Sequence, residues 1–458
     1  MTMLRGQFVL VLGLGETGLS LARWATAQGA RVRVADSRSN PPGLDVLRRD
    51  CPQAEIRCGA FEESLLADID RIALSPGVSI DEPLVRQAQA RGLPVEGDVE
   101  WLAHTFPAES RPKVIAITGA NGKTTVTSMV GAMCRAAGLD TAVAGNISPA
   151  VLDALMARGG KQPEVWVLEL SSFQLESTDT LHPDASTVLN ISEDHLDRHG
   201  SMDAYAAAKA RIFAGSGVQV LNRDDARSLS MALPGRSVVT FGLNAPANRT
   251  DWGVVYDGDI PWLAQDGHRI LRADALHVAG LHNVANALAA LALCRALDLP
   301  LKPLCQALQA FKGLPHRVER VAEIRGVTYY DDSKGTNVGA TEAALKGLGK
   351  RAVVILGGDG KGQDFTPLRA AVTQHARAAV LIGRDAEKIA AVLEGCGVPV
   401  LFAPNMDEAA RWASQAAEPG DAVLMSPACA SFDMYRNYLH RAEAFRSAVA
   451  ALQEEATC

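Results

Sequence analysis

Aromatic residues are scarce, 5% of a chain that is 48% apolar, so any core must be built mainly from Ala, Val and Leu. No apolar run approaches the roughly eighteen residues that a membrane-spanning helix needs. Residues 8–14 are apolar, but the run is short and Glu16 follows closely, which marks a strand rather than a signal sequence. The cysteines at 51, 58, 134, 294, 305, 396, 429 and 458 form no C-x-x-C pair. That excludes the usual zinc and disulfide frames and fits reduced thiols in the cytoplasm. There is no basic excess, the net charge being −7, which argues against a nucleic-acid partner. Neither an internal repeat nor a low-complexity tract is present. What remains is a chain of 458 residues, too long for one core and of a length for about three domains.

Short β-branched runs alternate with Ala/Leu-rich stretches, the pattern of α/β architecture. The first segment, 1–110, opens with a strand at 8–12, the turn Gly13-Leu14-Gly15-Glu16-Thr17-Gly18, a helix to about residue 28 and a strand at 31–35 ending at Asp36. This is a Rossmann-like start, with glycines for close approach to a diphosphate and an acid at the next strand tip. A further strand at 72–74 runs into Ser75-Pro76-Gly77, and 104–112 reads as a linker. The central segment, 111–313, carries an apolar strand followed by Gly119-Ala120-Asn121-Gly122-Lys123-Thr124-Thr125. Its glycines can turn N–H groups around a phosphate, Lys123 supplies a mobile cation, and the Thr124 hydroxyl can hold Mg²⁺. Strands at 165–170 and 187–190 deliver Glu169 and the acidic loop around His195 beside it, and antiparallel strands are expected over 238–278. The third segment, 314–458, has strands at 327–330, 352–356, 379–382, 398–402 and 422–425 alternating with helices, which predicts a second Rossmann-like sheet.

Ligand groups thus gather beyond the carboxyl ends of parallel strands, where open α/β sheets build their sites. Lys123, Thr124, Glu169 and His195 together suit a metal–phosphate centre. Read from spacing alone, Lys209 is a helix-surface lysine. An NAD-dependent oxidoreductase with Asp36 on a ribose would explain the first motif but leave the Lys123 loop unused. A non-catalytic nucleotide-binding scaffold would leave Glu169 and His195 without a purpose.

The compact glycine loop, together with Leu168-Glu169-Leu170-Ser171-Ser172, Glu193-Asp194-His195-Leu196-Asp197-Arg198, Gly280-Leu281-His282-Asn283, Asp332-Ser333-Lys334-Gly335-Thr336-Asn337 and Ser426-Pro427-Ala428-Cys429-Ala430-Ser431, resembles the Mur ligases over nearly the whole chain. The resemblance implies three α/β domains: a Rossmann-like first domain, a central P-loop ATPase-like domain with added antiparallel strands, and a Rossmann-like third domain. It implies ligation of D-glutamate to UDP-N-acetylmuramoyl-L-alanine through an acyl phosphate, with ATP and Mg²⁺, by a cytoplasmic, monomeric enzyme of peptidoglycan synthesis. Another Mur or folylpolyglutamate-type ligase is the neighbouring alternative, although a folate ligase needs no uridine diphosphate pocket. By the same resemblance Glu16, Thr17, Asp36, Ser37, Arg38, Gly77, Asn146 and His195 bind the uridine diphosphate substrate. Gly119 to Thr125 hold ATP phosphates, and Asn286, Arg317, Asp332 and Lys334 lie along the rest of the nucleotide. Thr124, Glu169, His195 and a carbamylated Lys209 serve the metal, with Lys123, Glu169, His195 and Lys209 catalytic. Thr336, Lys361, Ser431 and Tyr438 receive the incoming glutamate, Tyr438 standing where the family often has Phe.

Overall fold

The computed structural model describes residues 4–278 and 280–457; of the predicted reduced cysteines, Cys458 lies outside them and the other seven are free thiols. Three sheets follow one another along the chain. The first contains β1 (Phe8–Leu12), β2 (Arg31–Asp36), β3 (Glu55–Cys58), β4 (Arg71–Leu74) and β5 (Val95–Glu96) in the order β3-β2-β1-β4-β5. That is a parallel Rossmann order, and β1 is buried along its whole length because helices cover both faces. The helix Glu16–Ala27 starts directly after β1. Gly18 permits this approach, since a Cβ there would lie 1.8 Å from the Gly13 carbonyl oxygen.

The central sheet contains β6 (Lys113–Thr118), β7 (Thr141–Gly145), β8 (Val165–Glu169), β9 (Ala185–Val188), β10 (Val218–Asn222), β11 (Val238–Phe241), β12 (Trp252–Asp257), β13 (Ile260–Gln265) and β14 (His268–Arg272). Their order is β14-β13-β12-β11-β10-β9-β6-β8-β7. The glycine-loop strand β6 therefore lies between β8, which ends at Glu169, and β9, which leads into Asn190. The ninth strand begins and ends two residues earlier than the sequence predicts, and Leu189 and Asn190 belong to the loop. The antiparallel region is also shorter than expected: β11 runs parallel to β10, and antiparallel pairing is confined to β12, β13 and β14.

The third sheet contains β15 (Glu319–Ile324), β16 (Val327–Asp331), β17 (Ala352–Gly357), β18 (Ala376–Ile382), β19 (Val400–Phe402) and β20 (Ala422–Met425). It is parallel apart from β15, an edge strand that Arg320 and Glu323 disguise as a polar loop. The order β15-β16-β20-β17-β18-β19 inserts the last strand between β16 and β17. This insertion brings the segments after β16, β17 and β20, far apart in sequence, to one end of three adjacent strands.

One apolar cluster runs through the first and central domains and includes Trp101 and Trp166, both fully buried. Truncating either to Ala would cost about 3–5 kcal/mol. The clusters on the two faces of the third sheet contain only residues of that domain. Among the described residues no helix is long and apolar enough to cross a membrane.

Candidate active site

β6 gives way to the glycine loop, and the helix Lys123–Ala136 follows at once. Gly122 has φ +82°, and a Cβ there would meet Asn286 Oδ1 at 2.7 Å, so the position requires glycine for both conformation and space. Asn190, in the loop just beyond the neighbouring strand β9, pins the glycine loop: its Oδ1 accepts from Asn121 N at 2.8 Å and its Nδ2 donates to Asn121 O at 3.1 Å. Lys123 curls back, its Nζ donating to the carbonyls of Gly119 and Ala120 at 2.9 Å each. Burial lowers its pKa, while Glu169 and Asp194 favour its charge. The Thr124 hydroxyl accepts from Arg317 Nη2 at 2.6 Å. Arg317, which the resemblance puts near adenine and ribose, thus reaches the phosphate end of the loop.

Glu169 is 1% exposed. Its Oε1 accepts from Asn146 Nδ2 at 2.8 Å, whereas Oε2 is buried with no hydrogen-bond partner. An orphaned carboxylate oxygen beside a phosphate loop fits a hard cation that takes few protein ligands and completes its shell with water and phosphate. The expected metal residues include only one carboxylate and one imidazole, Glu169 and His195, too few to form a close three-residue carboxylate–imidazole group by themselves. Among the described residues such a close group is His316, Glu319 and Asp331. These are paired already: His316 Nδ1 lies 2.7 Å from Asp331, and Glu319 accepts from His316 N at 2.9 Å and Arg446 at 3.1 Å.

His195 sits at φ +56°, with its ring edge-on to Phe173 at 5.0 Å. Burial holds its pKa below the usual imidazole value despite the nearby Asp194, so near pH 7 it is neutral and can offer a nitrogen lone pair. Lys209 is not on the surface as its spacing suggests. It is 2% exposed, donates to Thr118 Oγ1 at 3.3 Å and lies 4.6 Å from the Tyr205 ring centroid. Burial, reinforced by Lys123, drives its pKa well below that of a free lysine.

A cavity of about 500 Å³ brings together Glu16, Thr17, Asp36, Ser37, Arg38, Gly77 and Asn146, with Phe61 and Gln174 also in its wall; His195 is not a wall residue. The cavity spans two domains, since Asn146 belongs to the central one and Ser148 donates to Glu16 Oε1 at 2.7 Å. Asp36 is committed to its own loop. It accepts from Leu14 N at 2.7 Å and from Arg38 Nε and Nη2 at 2.8 and 2.7 Å. The Arg38 hydrogen bond leads in lowering its pKa to about 2. These contacts shape the pocket and aim Arg38, and they occupy the carboxylate that an oxidoreductase would use on a ribose.

A second cavity, of about 370 Å³, is walled by Asn121, Gly122, Thr125, Asn286, Arg317, Asp332 and Lys334 among others, but not by Gly119, Ala120, Lys123 or Thr124. Asp332 is buried and accepts from Ser426 Oγ at 2.6 Å; desolvation raises its pKa to about 7. The four expected glutamate residues are not gathered by direct contact. Lys361 pairs with Asp194 at 3.2 Å, and the Tyr438 hydroxyl accepts from Lys334 at 3.3 Å. Ser431 is buried, and Thr336 lies in the turn after β16, its N–H donating to Lys334 O at 3.0 Å.

Sequence reasoning missed Asn190, Asp194, Asn337 and Arg441 as site residues. Asp194 and Asn337 lie inside motifs quoted above, and only their contacts distinguish them from their neighbours. Arg441 gives no signal, because an arginine on a helix normally reads as solvated. It is in fact 1% exposed and donates to Cys429 O and Ser333 O at 3.0 Å each, tying the segments after β20 and β16 together.

Comparison with known proteins covers all three sheets. Family models match residues 7–97 (Mur ligase MurD-like, N-terminal domain), 117–294 (Mur ligase middle domain) and 316–429 (Mur ligase, glutamate ligase domain). The chain is 58% identical over 456 residues to the UDP-N-acetylmuramoylalanine–D-glutamate ligase of Nitrosospira multiformis, covering 98% of this chain and 96% of that one. It is 56% identical over 454 residues to the ligase of the same name from Nitrosomonas eutropha, with 98% and 97% covered. Among solved structures, UDP-N-acetylmuramate-alanine ligase MurC from Thermotoga maritima superposes with TM-score 0.62 at 20% identity, covering 97% of this chain and all of that one. MurF from Acinetobacter baumannii gives 0.61 at 18% identity, covering 98% and 91%. At such identities these structures speak for the fold.

Proposed function

The chain belongs to the Mur ligase family, and from that premise we propose that it joins D-glutamate to UDP-N-acetylmuramoyl-L-alanine at the expense of ATP. This is the ligation named in its relatives, a step of peptidoglycan precursor synthesis. The observation that carries the reading is the unpartnered Oε2 of Glu169 beside the Lys123 loop, with one cavity on the first-domain side and another toward the third domain.

A carboxylate is a poor acyl donor because oxide is a hopeless leaving group; phosphorylation substitutes phosphate for it. In our reading the walls of the larger cavity hold the uridine diphosphate moiety and direct the alanine carboxylate toward the glycine loop. Lys123 leaves the Gly119 and Ala120 carbonyls for the transferring phosphoryl group, where its charge offsets the developing one. Thr124, Glu169, His195 and a carbamylated Lys209 would hold Mg²⁺, which when bound supplies charge neutralisation at the phosphate oxygens. The depressed pKa of Lys209 supports the modification. The neutral amine forms a bond to CO₂ and releases a proton, turning a buried neutral group into a buried anion. Asn286, Arg317, Asp332 and Lys334 receive the nucleotide. D-glutamate enters by Thr336, Lys361, Ser431 and Tyr438, its second carboxylate drawing Lys361 from Asp194, and its amine attacks the acyl phosphate. We place the domain limits near 110 and 313, in the irregular segments between sheets. We also take the protein to act as a cytoplasmic monomer, since one chain furnishes every group named.

The test is direct. Purified protein with ATP, Mg²⁺, UDP-N-acetylmuramoyl-L-alanine and D-glutamate should release ADP and phosphate together with a product heavier by one glutamyl residue, and omitting either acceptor or amino acid should stop product. Amide formation with another amino acid in preference to D-glutamate, or no amide product at all, would overturn the assignment.

A further inference from the structure

Asn337 makes contacts that its position at a helix start does not require. Its Oδ1 caps the helix Val338–Gly347, accepting from Ala340 N at 2.9 Å. Its amide nitrogen points to the central domain, donating to Asn121 Oδ1 at 3.1 Å and Asp194 Oδ2 at 3.4 Å. The residue is 4% exposed, so water replaces these bonds poorly. The surroundings reinforce the joint. A Cβ on Gly339 would lie 3.2 Å from Ser192 Oγ and 3.3 Å from Asn121 Nδ2, placing the first helical turn against the glycine loop and the segment after β9. Asp194 also accepts from Lys361 at 3.2 Å, and Asp364 N donates to Glu193 at 3.2 Å.

We propose that Asn337 is a positioning residue that sets the glycine loop in register with the third domain, so that one side-chain amide couples the nucleotide site to the site for the incoming amino acid. The proposal rests on the ligase reading for the identity of that amino acid, although the coupling itself is a property of nucleotide binding. Asn121 is the loop residue it grips, and Asn190 holds that residue's backbone from the opposite side. Asp194 is shared between Asn337 and Lys361, so a dicarboxylic amino acid that engages Lys361 leaves the Asn337 bond as Asp194's remaining tie to the third domain.

The experiment uses Asn337→Ser, since serine is a good helix cap and so retains the structural duty of the side chain while removing the amide donors, without setting a second carboxylate against Asp194 as aspartate would. The variant should melt within about 8 °C of the parent, a shift worth at most about the two lost hydrogen bonds. Affinity for a non-hydrolysable ATP analogue, measured by calorimetry, should fall roughly tenfold, and combining N337S with Asn121→Ala should cost little more than the larger single loss. In turnover, kcat should fall about ten- to a hundredfold while the KM for the uridine diphosphate substrate stays within about twofold. Additive effects of N337S and N121A on analogue affinity, or activity lost only in proportion to melting temperature, would overturn the proposal. If the parent bound analogue with the predicted coupling yet formed no amide, the ligase reading would fail and the positioning role would stand.

Discussion

The substitution Glu169→Gln separates what this residue does for the fold from what it does for the reaction. The oxygen of the introduced amide can still accept from Asn146, as Glu169 Oε1 does at 2.8 Å, and the change in volume is negligible. The amide NH₂ takes the place of an oxygen that has no partner in the folded chain. An unsatisfied buried polar group costs about 1–3 kcal/mol, and for a carboxylate this is offset by attraction to Lys123 and Arg317, both of which feel its field. The two terms oppose each other, so the net change in stability should be about 1 kcal/mol or less, a melting shift of roughly 2–4 °C for a domain of this size. Catalysis has no such compensation. Loss of a charged group that stabilises the transferring phosphoryl centre typically costs about 10²–10³ in kcat. E169Q should therefore remain folded, bind the uridine diphosphate substrate normally, lose at least about a hundredfold in kcat, and need more Mg²⁺ for half-maximal rate. The assay is ADP release against Mg²⁺ concentration, with a melting curve alongside. Turnover near that of the parent with unchanged Mg²⁺ dependence would refute a metal-ligand role for the orphaned oxygen.

Lys123→Ala should abolish acyl-phosphate formation, by about 10³-fold or more, while calorimetric binding of the uridine diphosphate substrate is retained; near-normal turnover would count against the role of the cation. Asp36→Ala removes the acceptor for Leu14 N and the guide for Arg38, so the KM for that substrate should rise about tenfold with kcat within about twofold, as loss of uniform binding does. Intact-protein mass measured at neutral pH should show the addition of one CO₂, lost on acidification and absent in Lys209→Met; an unmodified parent in bicarbonate buffer would exclude the carbamate. For Asp332 the folded pKa of about 7 exceeds the unfolded carboxylate value near ~4. Its stabilising contribution is thus full below about pH 4 and is lost as pH rises through 7. Asp98, raised to about 6 by burial, has the same sign, so Asp332→Asn should lessen, without abolishing, the decline in unfolding free energy measured in urea from pH 5 to 8.

The strands were legible wherever burial on both faces produced unbroken apolar runs. Residues Phe8–Leu12, Ala352–Gly357 and Ala422–Met425 are of this kind, and their predicted limits agree with the structure to within a residue. Strands at edges were harder: β15 carries Arg320 and Glu323, and β3 is half exposed, so neither shows an apolar period. Strand order in the third sheet was not legible, because the insertion of β20 between β16 and β17 depends on packing between segments nearly a hundred residues apart. The site divides in the same way. Glycines 119 and 122 and Lys123 announce themselves through local spacing. Lys209 does not, because its burial is conferred by Thr118 and Tyr205 across the fold, and Arg441 gives no hint of the two carbonyls it joins.

The distribution of apolar and polar contacts explains how such a chain can protect an acyl phosphate and still admit a third reactant. The first and central domains share one apolar cluster, in which Leu21, Trp101 and Trp166 are buried together, and this fixes the larger cavity relative to the glycine loop. The named ties from the third domain to the central one are polar: Arg317 to Thr124, Asn337 to Asn121 and Asp194, Lys361 to Asp194, and Asp364 to Glu193. Bonds of this sort contribute about 1 kcal/mol each once exchange with water is counted, whereas separating the shared apolar cluster would expose several large side chains at about 1.5–3 kcal/mol apiece. Opening is therefore cheap at the third domain and costly between the other two. On the ligase reading proposed above, the part of the molecule assigned to the amino acid is then the part that can withdraw and return, while the proposed site of the carboxylate and the glycine loop remain on one rigid platform.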